Sequence, residues 1–168
     1  MSNRGLSAKF VNWDKVPHFG KKEFGTHLQE LDSILLYALG SFRSLLNAPV
    51  FISPSNWGSH VPNSYHSAKK GRNAFGWALD VFPSGSLLFA YQTALSIKEF
   101  GGVGVYPFWS YPSKKLQGGL HLDIRLYPTN KSLWFYNSVA GKGQYKSLHS
   151  VEDCLDMFEL LSTIGDQK

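Results

Sequence analysis

A single cysteine, Cys154, is all the chain holds. It permits no intramolecular disulfide and no cysteine-based zinc site, so any metal bound here takes its ligands from histidine and carboxylate. Long apolar runs are also missing. The longest, Ile34–Leu39, falls far short of the roughly 20 residues a bilayer-crossing helix needs, which excludes membrane insertion. Nothing reads as a secretion signal: Met1–Lys9 is polar, and the first long apolar stretch begins near Leu28. The expectation is synthesis and folding in the cytoplasm of the host cell. Charged residues make up only 17% of the chain against 43% hydrophobic, which argues against disorder. Internal repeats, coiled-coil heptads and linkers are absent, so residues 1–168 read as one domain.

The net charge of +5 is scattered. Lys69-Lys70-Gly71-Arg72 and Lys114-Lys115 are its local clusters, and neither makes the continuous cationic face that a nucleic acid would require. No nucleic-acid partner is expected, whereas an anionic cell wall suits the sign of the charge.

What is present points to a loop-rich α+β fold: sixteen glycines, eight prolines and 15% aromatic residues among 168. Residues 1–25 lack periodicity and read as an N-terminal arm with turns around Pro17 and Gly20. From Thr26 to Leu46 an apolar stripe of Leu28, Leu31, Leu35, Ala38, Phe42 and Leu45 predicts a helix, ended before Pro49. Val50–Ile52 reads as a short strand and residues 53–75 as a long loop. Gly76–Phe82 returns to strand character. Leu87–Glu99 is a second helix behind the N-cap candidate Ser86, and Val103–Tyr106 another strand. Residues 107–118 read as a loop and Leu120–Leu126 as a strand. Leu133–Tyr136 reads as a last strand, in a C-terminal region 127–168. Ser150-x-x-Asp153 opens a final helix with the stripe Val151, Leu155, Phe158 and Leu160 or Leu161.

Three segments carry chemistry. In Leu120-His121-Leu122-Asp123-Ile124-Arg125 the aliphatic side chains face one way and the ionisable ones the other. Taken alone, that is also the ordinary pattern of a half-buried strand with an Asp123–Arg125 ion pair. In Gly76-Trp77-Ala78-Leu79-Asp80-Val81 an aspartate interrupts an apolar strand. A carboxylate buried there costs several kcal/mol unless a cation or hydrogen bonds compensate it. The third is Ser64-Tyr65-His66 in the long loop. Two histidines and one carboxylate form a three-ligand set for a catalytic zinc, with a fourth position open to water.

These segments occur in an order that resembles the M15 family of zinc metallopeptidases, the D-Ala-D-Ala carboxypeptidase-like enzymes grouped structurally with lysostaphin-type peptidases and the hedgehog signalling domain. The likeness is carried by Ser64-x-His66, Ala78-x-Asp80, Gly101-Gly102-Val103-Gly104-Val105-Tyr106-Pro107 and Leu120-His121-Leu122-Asp123, and covers residues 26–126. It implies an antiparallel-rich sheet that forms a metal cleft and packs against helices. It also implies Zn2+ held by His66, Asp80 and His121, and hydrolysis of peptidoglycan stem peptides by a D,D-carboxypeptidase or an endopeptidase, as in phage lysis enzymes. Such an enzyme would reach the wall through a membrane lesion or by injection from a virion.

The chain departs from the family pattern in three places. Ser67–Phe75, with Lys69, Lys70 and Arg72, lengthens the His–Asp spacing, and His60 is the alternative first ligand. The substrate-binding arginine expected after the first strand is replaced, with Arg72 and Arg125 as candidates beside Ser64 and Tyr106. Gly118 stands where many relatives carry an acid three residues before the last histidine. Asp123, two residues beyond His121 on the same strand face, is the candidate general base. It is equally a candidate to orient His121 or to pair with Arg125. The alternative to a peptidase is a non-catalytic, zinc-stabilised wall-binding or virion structural module. His18, His27 and His149 have no partner motif.

Overall fold

Asp32 decides where the first helix begins. Its carboxylate accepts from the Ile34 amide at 2.8 Å, an N-cap that satisfies a first-turn donor. The helix, α1, is therefore Ser33–Leu46 and not Thr26–Leu46, and Asn47 closes it at φ 51°. Upstream, Lys21–Glu30 runs as 3₁₀ turns broken at Gly25, whose φ of 65° is outside helical geometry. Leu28 and Leu31 still reach the core from those turns. Leu45 is 60% exposed, because the helix buries Leu46 in its place. The structure, a computed structural model, describes residues 7–53, 66, 76–125, 130–139 and 142–165.

The remaining elements are β1 (Val50–Ile52), β2 (Ala78–Pro83), α2 (Leu87–Ser96), β3 (Gly102–Tyr111), β4 (Leu116–Asp123), β5 (Ser132–Val139), β6 (Lys142–Ser147) and α3 (Val151–Gly165). The strands form one mixed sheet in the order β1-β2-β4-β3-β5-β6. The β3–β5 pair is parallel and the other pairs are antiparallel. The chain is thus α+β, as composition suggested. Residues 107–118 are not a loop: they complete β3 and β4 and the 3₁₀ turn Pro112–Lys114 that joins them. β6 had no counterpart in the sequence reading.

Leu79, Val81, Val103, Val105, Leu120, Leu122 and Phe135 point from the sheet into one apolar cluster. Leu35 and Leu39 of α1, Ala90 and Ala94 of α2, and Met157 and Leu161 of α3 meet them there. Residues 7–25 of the N-terminal arm pack onto the core, since Ala8, Val11, Val16, Phe19 and Phe24 belong to the same cluster. On α3 the buried face is Met157 and Leu161. The expected stripe members Val151 and Leu155 are 73% and 58% exposed. No helix among the described residues is long and apolar enough to cross a membrane. With one face of the sheet committed to this core, alternation sends Asp80, His121 and Asp123 to the other.

Candidate metal centre

Strand register places two of the predicted ligands side by side. Asp80 on β2 pairs with His121 on β4, and β4 in turn sets His121 against Gly104 on β3. Gly104 pairs with Trp134 on β5, so one row crosses four strands. His66 arrives from outside the sheet. Its carbonyl lies against Gly76, where a Cβ would come within 2.6 Å of it, so a glycine two residues ahead of β2 admits the His66 backbone.

The donor atoms converge. His121 Nδ1 is 3.0 Å from Asp80 Oδ1 and 3.1 Å from His66 Nε2. His66 Nε2 is 3.6 Å from Asp80 Oδ2. Zinc bound by nitrogen and oxygen at about 2.0–2.1 Å in a tetrahedron separates its ligands by about 3.3 Å. The two distances from His121 fall just under that value, and the one from His66 to the other Asp80 oxygen just over it. His66, Asp80 and His121 are 6%, 3% and 5% exposed. Among the described residues these three form a buried cluster able to hold a metal ion. Two imidazole nitrogens and a carboxylate gathered at one buried point form a polar cluster that a proton or a metal cation satisfies and an apolar filling does not.

The far side of His121 is also held. Its Nε2 lies 3.0 Å from Asp123 Oδ2. Asp123 is fully buried and receives Arg125 three ways: the backbone amide at 2.9 Å, Nε at 2.6 and 2.7 Å to the two carboxylate oxygens, and the terminal guanidinium nitrogen. Asp123 and Arg125 thus sit behind the imidazole, away from the point where the donors meet. Of the roles the sequence left open for Asp123, the geometry matches orientation of His121 and pairing with Arg125. Asp123 faces the nitrogen that fixes which tautomer His121 presents to Asp80 and His66. Arg125 is engaged with Asp123 instead of reaching past the donor atoms.

Electrostatics follow from this packing. Burial pushes the His66 imidazole down to about 4, against the pull of the Asp80 charge, so the ring is neutral at neutral pH and one of its nitrogens carries a free lone pair. Burial lowers His121 as well, but hydrogen bonds to Asp123 and Asp80 outweigh it and carry the group up to about 9. Desolvation works to raise Asp123, yet its bonds to His121 and Arg125 hold it below the usual carboxylate range. The Tyr106 hydroxyl is pushed far above the ordinary phenol range, first by burial and then by the nearby Asp80 charge. It stays protonated, and its hydrogen bond to Tyr145 adds to the rise. The Tyr106 ring packs on Trp109 at 4.2 Å and edge-on to Trp134 at 5.2 Å.

Of the other sequence candidates, Ser64, Arg72 and the alternative ligand His60 lie outside the described residues. His18 and His149 are exposed, as expected of residues without a partner motif. Sequence reasoning missed Gly104 and Trp134. The signal was present in Gly102-Val103-Gly104: two glycines on one strand face, opposite Asp123 and His121 in register. No family model matches the chain, and no curated protein or solved structure matches it either.

Proposed function

We propose that this chain is a zinc-dependent peptidase that hydrolyses peptidoglycan stem peptides, as a D,D-carboxypeptidase or endopeptidase of the phage-lysis or virion-associated kind. The observation that carries the reading is the convergence of His66 Nε2, Asp80 and His121 Nδ1 at separations of 3.0–3.6 Å in a buried site. Two imidazoles and one carboxylate suit zinc, and three protein ligands leave a position for water or substrate. The motif order read from the sequence supplies the substrate class. When bound, zinc supplies Lewis-acid chemistry: it polarises a scissile carbonyl and lowers the pKa of water to near 7.

The chain's own residues have separate tasks in this reading. His66 presents an unprotonated nitrogen and Asp80 a carboxylate oxygen, while His121 would give up its Nδ1 proton on binding zinc. Asp123 accepts the Nε2 proton of His121 and so holds the Nδ1 lone pair toward Asp80 and His66. Arg125 neutralises Asp123, which keeps a second buried negative charge from standing alone. Tyr106, kept protonated, gives its hydroxyl to a hydrogen bond with Tyr145 and leaves a neutral polar group near the Asp80 charge.

The test is release of free amine from purified wall fragments. Chelated protein should release none, restored zinc should recover the activity, and His121→Ala should remain inactive in both states. Full activity after chelation and dialysis contradicts the proposal. One observation favours the non-catalytic reading instead: Asp123, the candidate general base, is spent on the far nitrogen of His121. Zinc uptake and wall binding without amine release would select that reading.

A further inference from the structure

Trp134 crosses a neighbouring strand to reach His121. The two residues are not paired in the sheet, because Gly104 on β3 lies between them in the register. Yet the indole and imidazole centroids are 5.3 Å apart at an interplanar angle of 45°. The contact exists because position 104 has no side chain. A Cβ built on Gly104 would fall inside the indole, against Cζ2, Cε2 and Cη2 of Trp134. Gly104 is not among the glycines with positive φ, which are Gly25, Gly85 and Gly118. Its backbone would accept alanine, so glycine is required there by the indole and not by conformation.

We propose that Trp134, admitted by Gly104, is a positioning residue for the metal centre: it locks the His121 ring so that Nδ1 stays aimed at Asp80 and His66. The inference rests on the metal-centre reading above. The χ2 torsion of histidine is broad and roughly two-fold, so hydrogen bonds at the two ring nitrogens leave room for libration and for a flipped ring. A flip exchanges Nδ1 with a carbon and withdraws the donor. The indole meets the imidazole, and the His66 ring lies edge-on to that same imidazole at 4.8 Å. Rotation about χ2 would have to displace one ring or the other. Trp134 is held in turn by Tyr106 at 5.2 Å and Tyr145 at 5.2 Å, both edge-on, so the wall is braced from β3 and β6.

The pair Gly104 and Trp134 forms a mutant cycle whose outcome is specific to this account. Metal affinity is measured by chelator competition with zinc, and the shape of the site by the visible absorption of the cobalt-loaded protein. Trp134→Ala should weaken zinc binding about tenfold, the low end of the effect of removing an outer partner of a ligand. It should also broaden the cobalt bands. Gly104→Ala should do the same by displacing the indole, and the double variant should be no worse than Trp134→Ala alone. Trp134→Phe, which restores a flat ring, should recover part of the affinity. Wild-type affinity and spectrum in Trp134→Ala overturn the assignment, as do additive losses in the double variant. If Gly104→Ala fails to fold, the Trp134→Ala and Trp134→Phe comparison decides alone. A wild-type protein that takes up neither zinc nor cobalt contradicts the metal centre itself, and this assignment with it.

Discussion

Asp80 and His121 are direct partners in the antiparallel β2–β4 register, and their side chains meet at 3.0 Å on the face turned away from the core. Thirteen residues separate Asp80 from His66 in the chain, yet His66 Nε2 reaches within 3.6 Å of the same carboxylate. Two of the candidate ligands are therefore set by strand pairing, and the third, His66, lies outside the strands. Asp80→Asn keeps the shape but removes the anionic ligand. It should weaken zinc binding by more than about 100-fold, beyond the range for outer partners. Chelator competition measures this, and unchanged affinity would remove Asp80 from the ligand set.

Asp123→Asn separates orientation from base catalysis. As the orienting partner, Asp123 contributes to zinc affinity, and its loss should cost about 10–100-fold. It should also destabilise the fold by about 3–5 kcal/mol, since the Arg125 guanidinium is left without its buried counter-ion. Denaturant unfolding and chelator competition read the two effects. A variant with wild-type affinity and stability but no activity would instead make Asp123 the base.

The pH dependence of stability should differ in sign with and without metal. In metal-free protein His121 stands at about 9 against an ordinary 6.5. Its stabilising contribution is whole below pH 6.5 and is lost as pH rises through 9. His66, lowered to about 4, acts in the opposite direction between pH 4 and 6.5. Metal-free stability should then peak near pH 6.5 and fall by a few kcal/mol, an order-of-magnitude figure, toward pH 9. Zinc requires the His121 Nδ1 lone pair, so its binding expels a proton and strengthens as pH rises. Thermal unfolding with chelator and with buffered zinc, at pH 6.5 and 8.5, should show a gap that widens with pH. Parallel curves would contradict the site.

The C-terminal helix offers a test outside the site. The Asp153 amide donates to Ser150 Oγ at 3.1 Å while the Asp153 carboxylate accepts from the Ser150 amide at 3.0 Å, a reciprocal cap. Ser150→Ala should cost about 1 kcal/mol. Met157→Ala should cost about 2–5 kcal/mol, because Met157 is fully buried. Leu155→Ala should change stability by less than about 0.5 kcal/mol. Asp153 is lowered to about 2 by bonds from His149, Lys146 and Ser150. Its contribution should hold above about pH 4 and fade as pH drops through 2. Chemical denaturation of the variants checks the ranking, and equal losses at positions 155 and 157 would reverse the face assigned to α3.

Much of the fold was legible because burial leaves a period in the sequence. Leu120, Leu122 and Ile124 alternating with His121, Asp123 and Arg125 announced β4 and the face its polar residues share. Elements not built on burial were illegible. Lys142–Ser147 has no apolar alternation; it is an edge strand that exists through its hydrogen bonds to β5. Pro107 made the end of β3 look like a loop, whereas it sits in the strand where the register shifts between Tyr106 and Ser110, a place a strand tolerates proline. On α3 both Leu155 and Met157 are apolar, and only packing against the rest of the core chooses between them. In the site, sharing a strand face did bring Asp123 to His121. The two nitrogens of an imidazole point in opposite directions, however, and Asp123 met the one facing away from the other donors. Trp134 stayed hidden because its contact depends on a side chain that Gly104 lacks.

Metal content of the purified protein, measured by mass spectrometry after zinc is supplied and excess removed, tests the centre most directly when wild type and His121→Ala are run side by side. About one zinc per chain in the wild type, lost in a variant that remains folded, is the predicted result. No metal in the wild type, or equal zinc in both proteins, would contradict a centre built from His66, Asp80 and His121.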